Sequence, residues 1–153
     1  MTEFEAPDPH FADRIRDSFG RKDFMKFIGA RLTDVGPGTC EISVYYRDDL
    51  SQQHDYFHGG VIGAIADNAA GYASYTLMGV DDSILTLEYK LNIMAPGQGE
   101  TLVSRAQVIK PGRTLSVSRS DVFAIKGGEE TLCATAQVTL MRLAGRADTP
   151  SAG

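Results

Sequence analysis

The sequence predicts an α+β domain in which an antiparallel sheet of about six strands curls around one long central helix, with a short helix at the N-terminus. Three observations carry this. A single long apolar and small-residue run lies in the first half, β-rich segments flank it, and Gly/Pro turn signals recur at hairpin intervals behind it. With 153 residues and 42% hydrophobic content, the chain can fill one core but not comfortably two. One domain over residues 24–143 is expected, preceded by a helical segment over residues 1–23 and followed by a tail over residues 144–153. That tail, rich in small residues and Pro, reads as frayed and disordered.

In DPHFADRIRDSFG, residues 8–20, Phe11, Ile15 and Phe19 stand four apart with charges between them, which predicts an amphipathic helix closing at Gly20. In GARLTDVGPGTCEISVYYR, two β-rich segments flank Gly36-Pro37-Gly38, and Cys40, Ile42, Val44 and Tyr46 alternate with more polar neighbours. This predicts a hairpin with one buried face. HGGVIGAIADNAAGYASYTLM, from His58 to about Met78, has no Pro and is too long for a strand, so it predicts the central helix. Its Gly63, Ala66, Ala70 and Ala73 recur at steps of three and four, which lets another backbone approach closely. Four strands come next, ILTLEYKLNIM, TLVSRAQVIK, RTLSVSRSDVFAI and TLCATAQVTLMRL, separated by Pro96-Gly97-Gln98-Gly99, Pro111-Gly112 and Gly127-Gly128.

Composition narrows the function classes. A net charge of -5 and a sequence pI near 5.1, with scattered lysines and arginines, argue against nucleic acid as a partner. The central helix carries Gly, Ser, Asn, Tyr and Asp67 and is flanked by Asp81-Asp82, which argues against a membrane span. The start MTEFEAPDPHF has acidic residues and prolines where a signal peptide carries a basic start and an apolar run, so a cytoplasmic location is expected. Cys40 and Cys133 lie in apolar strand-like segments and read as small core residues rather than a disulfide.

Asp67 is the only formally charged side chain between Gly59 and Val80. A carboxylate in a helix bound for the core is costly unless it is bonded, paired or needed for chemistry. A bond to Asn68 or to a tyrosine is the structural alternative. His58-Gly59-Gly60 stands where this helix begins, and first-turn amides without an intrahelical partner, at the positive end of the helix dipole, suit a carbonyl oxygen becoming an oxyanion. His58 itself reads first as a cap. The His-Asp-x-x-His string from His54 to His58 only faintly resembles a zinc helix, since Gly59 and Gly60 start the helix after it and no third ligand is evident, so no metal is expected.

Taken together, QQHDYFHGGVIGAIADNAAG, LTLEYKLNIMAP and KPGRTLSV resemble, in order and spacing over about residues 24–142, the hotdog-fold acyl-CoA thioesterases of the phenylacetic-acid-degradation (PaaI-like) type. The resemblance implies that Asp67 is the catalytic acid residue and that the Gly59 amide polarises the thioester carbonyl, with Gly60 and His58 beside the substrate. It implies a water-positioning role for Thr86. Gln52 stands where the family commonly has Asn, a departure that leaves a longer amide to orient carbonyl or water. Lys110, Pro111, Gly112, Arg113 and Thr114 match the segment along the CoA arm, with Lys110 and Arg113 as phosphate contacts or, alternatively, solvated surface charges. No cofactor is implied beyond the coenzyme A that the substrate carries. The family builds its sites between subunits, so a homodimer or homotetramer is expected, and a lone curled sheet has an edge that dimerisation can complete.

The mechanism this implies is hydrolysis of an acyl-CoA to free acid and CoA, with Asp67 as general base or, by an anhydride, as nucleophile. The acyl group is expected near Tyr56, Phe57 and Ile62. A Ser-His-Asp hydrolase is disfavoured: there is no G-x-S-x-G elbow, and His10, His54 and His58 are the only histidines. Two alternatives stay open. One is a non-catalytic acyl-CoA-binding module, which retention of Asp67 disfavours. The other is a hydratase, for which the helix lacks an evident His/Asp or His/Glu pair.

Overall fold

The computed structural model of the protein describes residues 3–149. Two helices come first, α1 (Phe11–Gly20) and α2 (Asp23–Phe27), and then the hairpin β1 (Arg31–Gly36) and β2 (Thr39–Tyr45). The long helix α3 (Gly59–Tyr75) precedes β3 (Ser83–Ile93), β4 (Thr101–Lys110), β5 (Leu115–Lys126) and β6 (Glu129–Leu143). The strands form one antiparallel six-stranded sheet in the order β1-β2-β4-β5-β6-β3. The predicted α+β architecture is the one observed. A five-residue α2 and a 3-10 turn at Asp48–Leu50 are additions, each too short to imprint a period on the sequence.

Along β4 and β5 buried and exposed residues alternate, so one face of the sheet lies on α3 and the other meets solvent. Leu102, Ser104, Ala106 and Val108 point inward from β4, and Ser118, Ser120, Val122 and Ala124 from β5. Small residues meet small residues at the helix: Ala66, Ala69, Ala70 and Ala73 are fully buried, and the sheet opposite them carries serines rather than bulky side chains. The buried hydroxyls satisfy one another, Ser74 with Ser118 at 2.8 Å and Ser104 with Ser120 at 2.7 Å, so no polar group is stranded by the close approach. Cys40 and Cys133 are free core thiols, pushed up by burial to about 12 and about 11 and therefore unreactive.

The N-terminal helix belongs to this core. Ile15 is fully buried, Phe19 meets Tyr72 edge to face, and Arg14 donates to the carbonyls of Met78 at 2.8 Å and Gly79 at 3.3 Å, just beyond α3. A cation there suits the helix's negative end. In the last segment, Gly145 N–H donates to Asp82 and the Asp148 carboxylate accepts from Ser18 and Arg21. Residues 150–153 of the expected tail lie outside the described residues. Among the described residues no helix is long and apolar enough to cross a membrane.

One irregularity in the sheet decides which side chains of β3 reach α3. Thr86 pairs with Leu140 and Glu88 with Thr139, which leaves Leu87 as an extra residue in β3. The bulge inverts the strand's alternation. Thr86 faces α3 on one side of it, whereas Tyr89, Leu91 and Ile93 face α3 on the other, against Gly63 and Gly59.

Candidate active site

Asp67 sits two turns into α3, half-buried, and its Oδ1 accepts a 2.7 Å hydrogen bond from the Thr86 hydroxyl. The β3 bulge is what turns Thr86 to this side. Burial raises the Asp67 carboxyl above the ordinary aspartate value, while the Thr86 hydrogen bond and the positive charge of Lys22 pull it down. A cavity of about 170 Å³ opens beside the pair, lined among others by Lys22, Asn68, Gly71 and Tyr72. The environment is that of a carboxylate partly stripped of water yet held in one orientation, which suits proton abstraction from a water molecule in the cavity.

The residues at the start of α3 form a second cluster. His58 is the N-cap, and its Nδ1 accepts the Gly60 N–H at 2.8 Å. The two glycine amides thus differ: Gly60 is engaged, whereas Gly59 N–H meets no acceptor among the described residues. Gln52 lies in the tight loop that delivers the chain to this cap, where His58 N–H donates to Leu50 O at 2.9 Å and Gln52 N–H to Tyr56 O at 2.9 Å. The Gln52 side-chain oxygen accepts from the His54 amide, which leaves its NH₂ group and a second oxygen lone pair to meet a substrate. Phe57 and Ile62, expected beside an acyl group, are instead core residues at 2% exposure, closed over by Gly97, where a Cβ would come within 3.2 Å of both. Tyr56 keeps partial exposure.

Asp67 and Gly59 do not meet within one chain. Eight residues of α-helix separate them by roughly 12 Å along the axis, and a thioester carbonyl must lie about 3 Å from both its donor and its attacking water.

Lys110, Pro111, Gly112, Arg113 and Thr114 form the exposed β4–β5 turn. Gly112 is required there for shape, since a Cβ would fall 1.9 Å from the Leu115 carbonyl oxygen. Leu115 pairs with Met141, which pairs with Leu85, so this turn ends two strands, roughly 10 Å, across the sheet from the neighbour of Thr86.

Sequence reasoning did not single out Lys22, which joins α1 to α2. Although the residue as a whole is exposed, its ammonium reaches into the crevice, donating to Asn68 Oδ1 at 3.0 Å and lying 4.6 Å from the Tyr72 ring centre. One lysine among several in a polar stretch carried no signal; only the docking of α1 onto α3 brings it to Asp67.

Known proteins share this fold. The sequence model of the thioesterase superfamily matches residues 54–131. A solved thioesterase family protein from Silicibacter pomeroyi is 41% identical, with 87% of this chain and 98% of that one covered and a TM-score of 0.86. The Escherichia coli PaaI protein from the phenylacetic acid degradation operon, 18% identical over 90% of this chain and 97% of its own, superposes with a TM-score of 0.79 and attests the shared hotdog fold. The 1,4-dihydroxy-2-naphthoyl-CoA hydrolase of Listeria monocytogenes is 26% identical over 104 residues, 68% of this chain and 80% of that protein.

Proposed function

The chain belongs to the thioesterase superfamily and is a thioester hydrolase, and we propose that it hydrolyses acyl-CoA with Asp67 as general base in a site shared by two copies. The observation that carries this is the division of the machinery along α3. The base and its hydroxyl partner stand at Asp67 and Thr86, while the unengaged amide stands at Gly59, roughly 12 Å away on the same helix.

A second copy related by a two-fold axis closes that gap. An axis passing beside Gly63, midway between the two positions, runs the second helix in the opposite direction and sets its Gly59 against Asp67. The surface there fits such an arrangement. β3 is one of the sheet's two edge strands, the one beside Asp67, and Leu85, Leu87, Tyr89 and Ile93 on it are each 47–52% exposed. A long apolar edge strand is an aggregation hazard unless something covers it. β3-to-β3 pairing covers it and makes two equivalent sites.

In each site Thr86 and Asp67 hold a water against the thioester carbonyl carbon. Asp67 takes the water's proton as the new C–O bond forms, and the carbonyl electrons move to an oxyanion facing Gly59 N–H of the other copy. The C–S bond then breaks, the electrons return to the carbonyl, and the CoA thiolate leaves and is protonated. Gln52, in the loop that leads to the His58 cap, offers its side-chain amide to orient the carbonyl or the water, and the β4–β5 turn offers Lys110 and Arg113 to the CoA phosphates. The naphthoyl-CoA substrate named for a relative makes aromatic acyl groups the first to try.

The test is release of free thiol from a panel of aromatic, short and medium acyl-CoAs by wild type and Asp67→Asn. Turnover lost in the variant, with CoA binding retained, supports the reading. Full activity in Asp67→Asn refutes it, and tight CoA binding without turnover by the wild type means a binding module.

A further inference from the structure

The crevice that holds Asp67 contains one cation that neither the family resemblance nor the hydrolytic mechanism uses. Lys22 and Asp67 line the same cavity of about 170 Å³, from different parts of the chain: Lys22 from the α1–α2 junction, Asp67 from the middle of α3. The ammonium is held by two groups of α3 that follow Asp67 in sequence, Asn68 Oδ1 at 3.0 Å and the Tyr72 ring at 4.6 Å. Asn68 is itself fixed, donating to Ala64 O at 2.9 Å. An extended lysine chain has high rotamer entropy, so two anchors at its tip point to a position that matters.

We propose that Lys22 is a positioning residue for thioester hydrolysis, supplying a fixed positive counter-charge to the Asp67 carboxylate. This rests on the reading of Asp67 as the base. A base in a crevice that binds an acyl group faces a conflict, because the apolar surroundings that favour the acyl group favour the protonated, inactive carboxyl. Thr86 offsets part of that cost by one hydrogen bond. Lys22 offsets a further, smaller part without forming an ion pair with Asp67, so the carboxylate stays free to take a proton.

The neighbouring charges agree with this direction. Burial lowers the Lys22 ammonium below the ordinary lysine value, and the carboxylates of Asp67 and Asp148 raise it. Asp148, from the C-terminal segment, also meets Arg21, so it is shared between two cations. From β3 Asp67 faces only the neutral hydroxyl of Thr86, and on its own helix the phenol of Tyr72, which burial pushes up and Ser18 hydrogen-bonds. Among the described residues Lys22 is therefore the cation that acts on Asp67.

Removing the positive charge raises the Asp67 carboxyl, so the base is protonated over a wider acidic range. The test compares kcat/KM against pH for wild type, Lys22→Met and Lys22→Arg, beside a carboxyl-carbon NMR titration of Asp67 that needs no turnover. In Lys22→Met the acid limb moves to higher pH, the loss at pH 5 exceeds the loss at pH 8 by about threefold or more, and the Asp67 titration moves the same way. In Lys22→Arg both stay near wild type. An equal loss at every pH with an unmoved Asp67 titration overturns the proposal and leaves Lys22 as a structural strut. If Asp67→Asn remains active, the underlying reading fails instead, and the NMR titration still decides whether the two charges are coupled.

Discussion

Replacing Gly59 by proline removes the one amide hydrogen on which the oxyanion proposal depends and little else. Gly59 is the first residue of α3, the position at which proline is best tolerated because its N–H has no intrahelical acceptor. The preceding His58 has φ -63 and ψ 139, the extended geometry that a following proline demands. The His58 cap bonds Gly60 N–H, which the substitution leaves in place. The added Cβ lies 3.2 Å from Ile93 Cδ1, the far end of a flexible side chain, and Gly59→Ala controls for that contact while keeping the amide. Loss of an oxyanion donor typically lowers turnover by about 10²–10³-fold, or about 2.7–4 kcal/mol of transition-state stabilisation. The assay is kcat/KM for thiol release with the preferred acyl-CoA, with thermal melting to show that both variants fold. Gly59→Pro within a few-fold of Gly59→Ala refutes the assignment.

The same geometry sets four other expectations. Thr86→Val keeps the shape but removes the 2.7 Å hydrogen bond to Asp67; a bond to a charged group at a partly exposed site is worth about 1.5 kcal/mol, so kcat/KM falls about tenfold and its acid limb moves up in pH, whereas an unmoved limb contradicts the pairing. Asp67 has a carboxyl raised by burial in the folded state, so the folded chain binds a proton more tightly than the unfolded chain does, and stability declines as pH rises through that window. Asp67→Asn therefore melts higher than wild type at pH 7, and the gap narrows toward pH 4. Leu87→Lys places a charge on the exposed β3 edge; sedimentation should show the proposed dimer weakened and activity falling with it, while an active monomer contradicts the shared site. Gly112→Ala must open the β4–β5 turn to relieve the 1.9 Å contact with Leu115 O, which a lowered melting temperature and a raised KM for CoA esters report together.

The fold was legible because its signals are local. Gly36-Pro37-Gly38 marks a hairpin, and the long Pro-free run after His58 admits only a helix. The Asp67 cluster was legible in part, because a lone charge in an apolar helix is visible in one dimension. Besides Lys22, three features were not. Leu87 gives no sign of being a bulge in ILTLEYKLNIM, since apolar and polar residues alternate without a break from Leu85 to Ile93, yet that extra residue is what turns Thr86 toward Asp67. Gly59 and Gly60 are equivalent as letters, and only the direction of the His58 ring shows that one amide is engaged. Phe57 and Ile62 read as acyl-pocket residues from their nearness to the helix start, but packing against Gly97 makes them core. Each depends on three-dimensional packing rather than on period or propensity.

The central claim, that one catalytic site draws Asp67 from one copy and Gly59 from another, is tested most directly by mixing two inactive variants. Asp67→Asn and Gly59→Pro are unfolded together, refolded in equal amounts and assayed for thiol release. In a mixed dimer one of the two sites combines an intact Asp67 with an intact Gly59. Random pairing then restores about a quarter of wild-type activity. Recovery no greater than the sum of the two parents, in a sample shown by sedimentation to be dimeric and exchanged, would contradict the shared site.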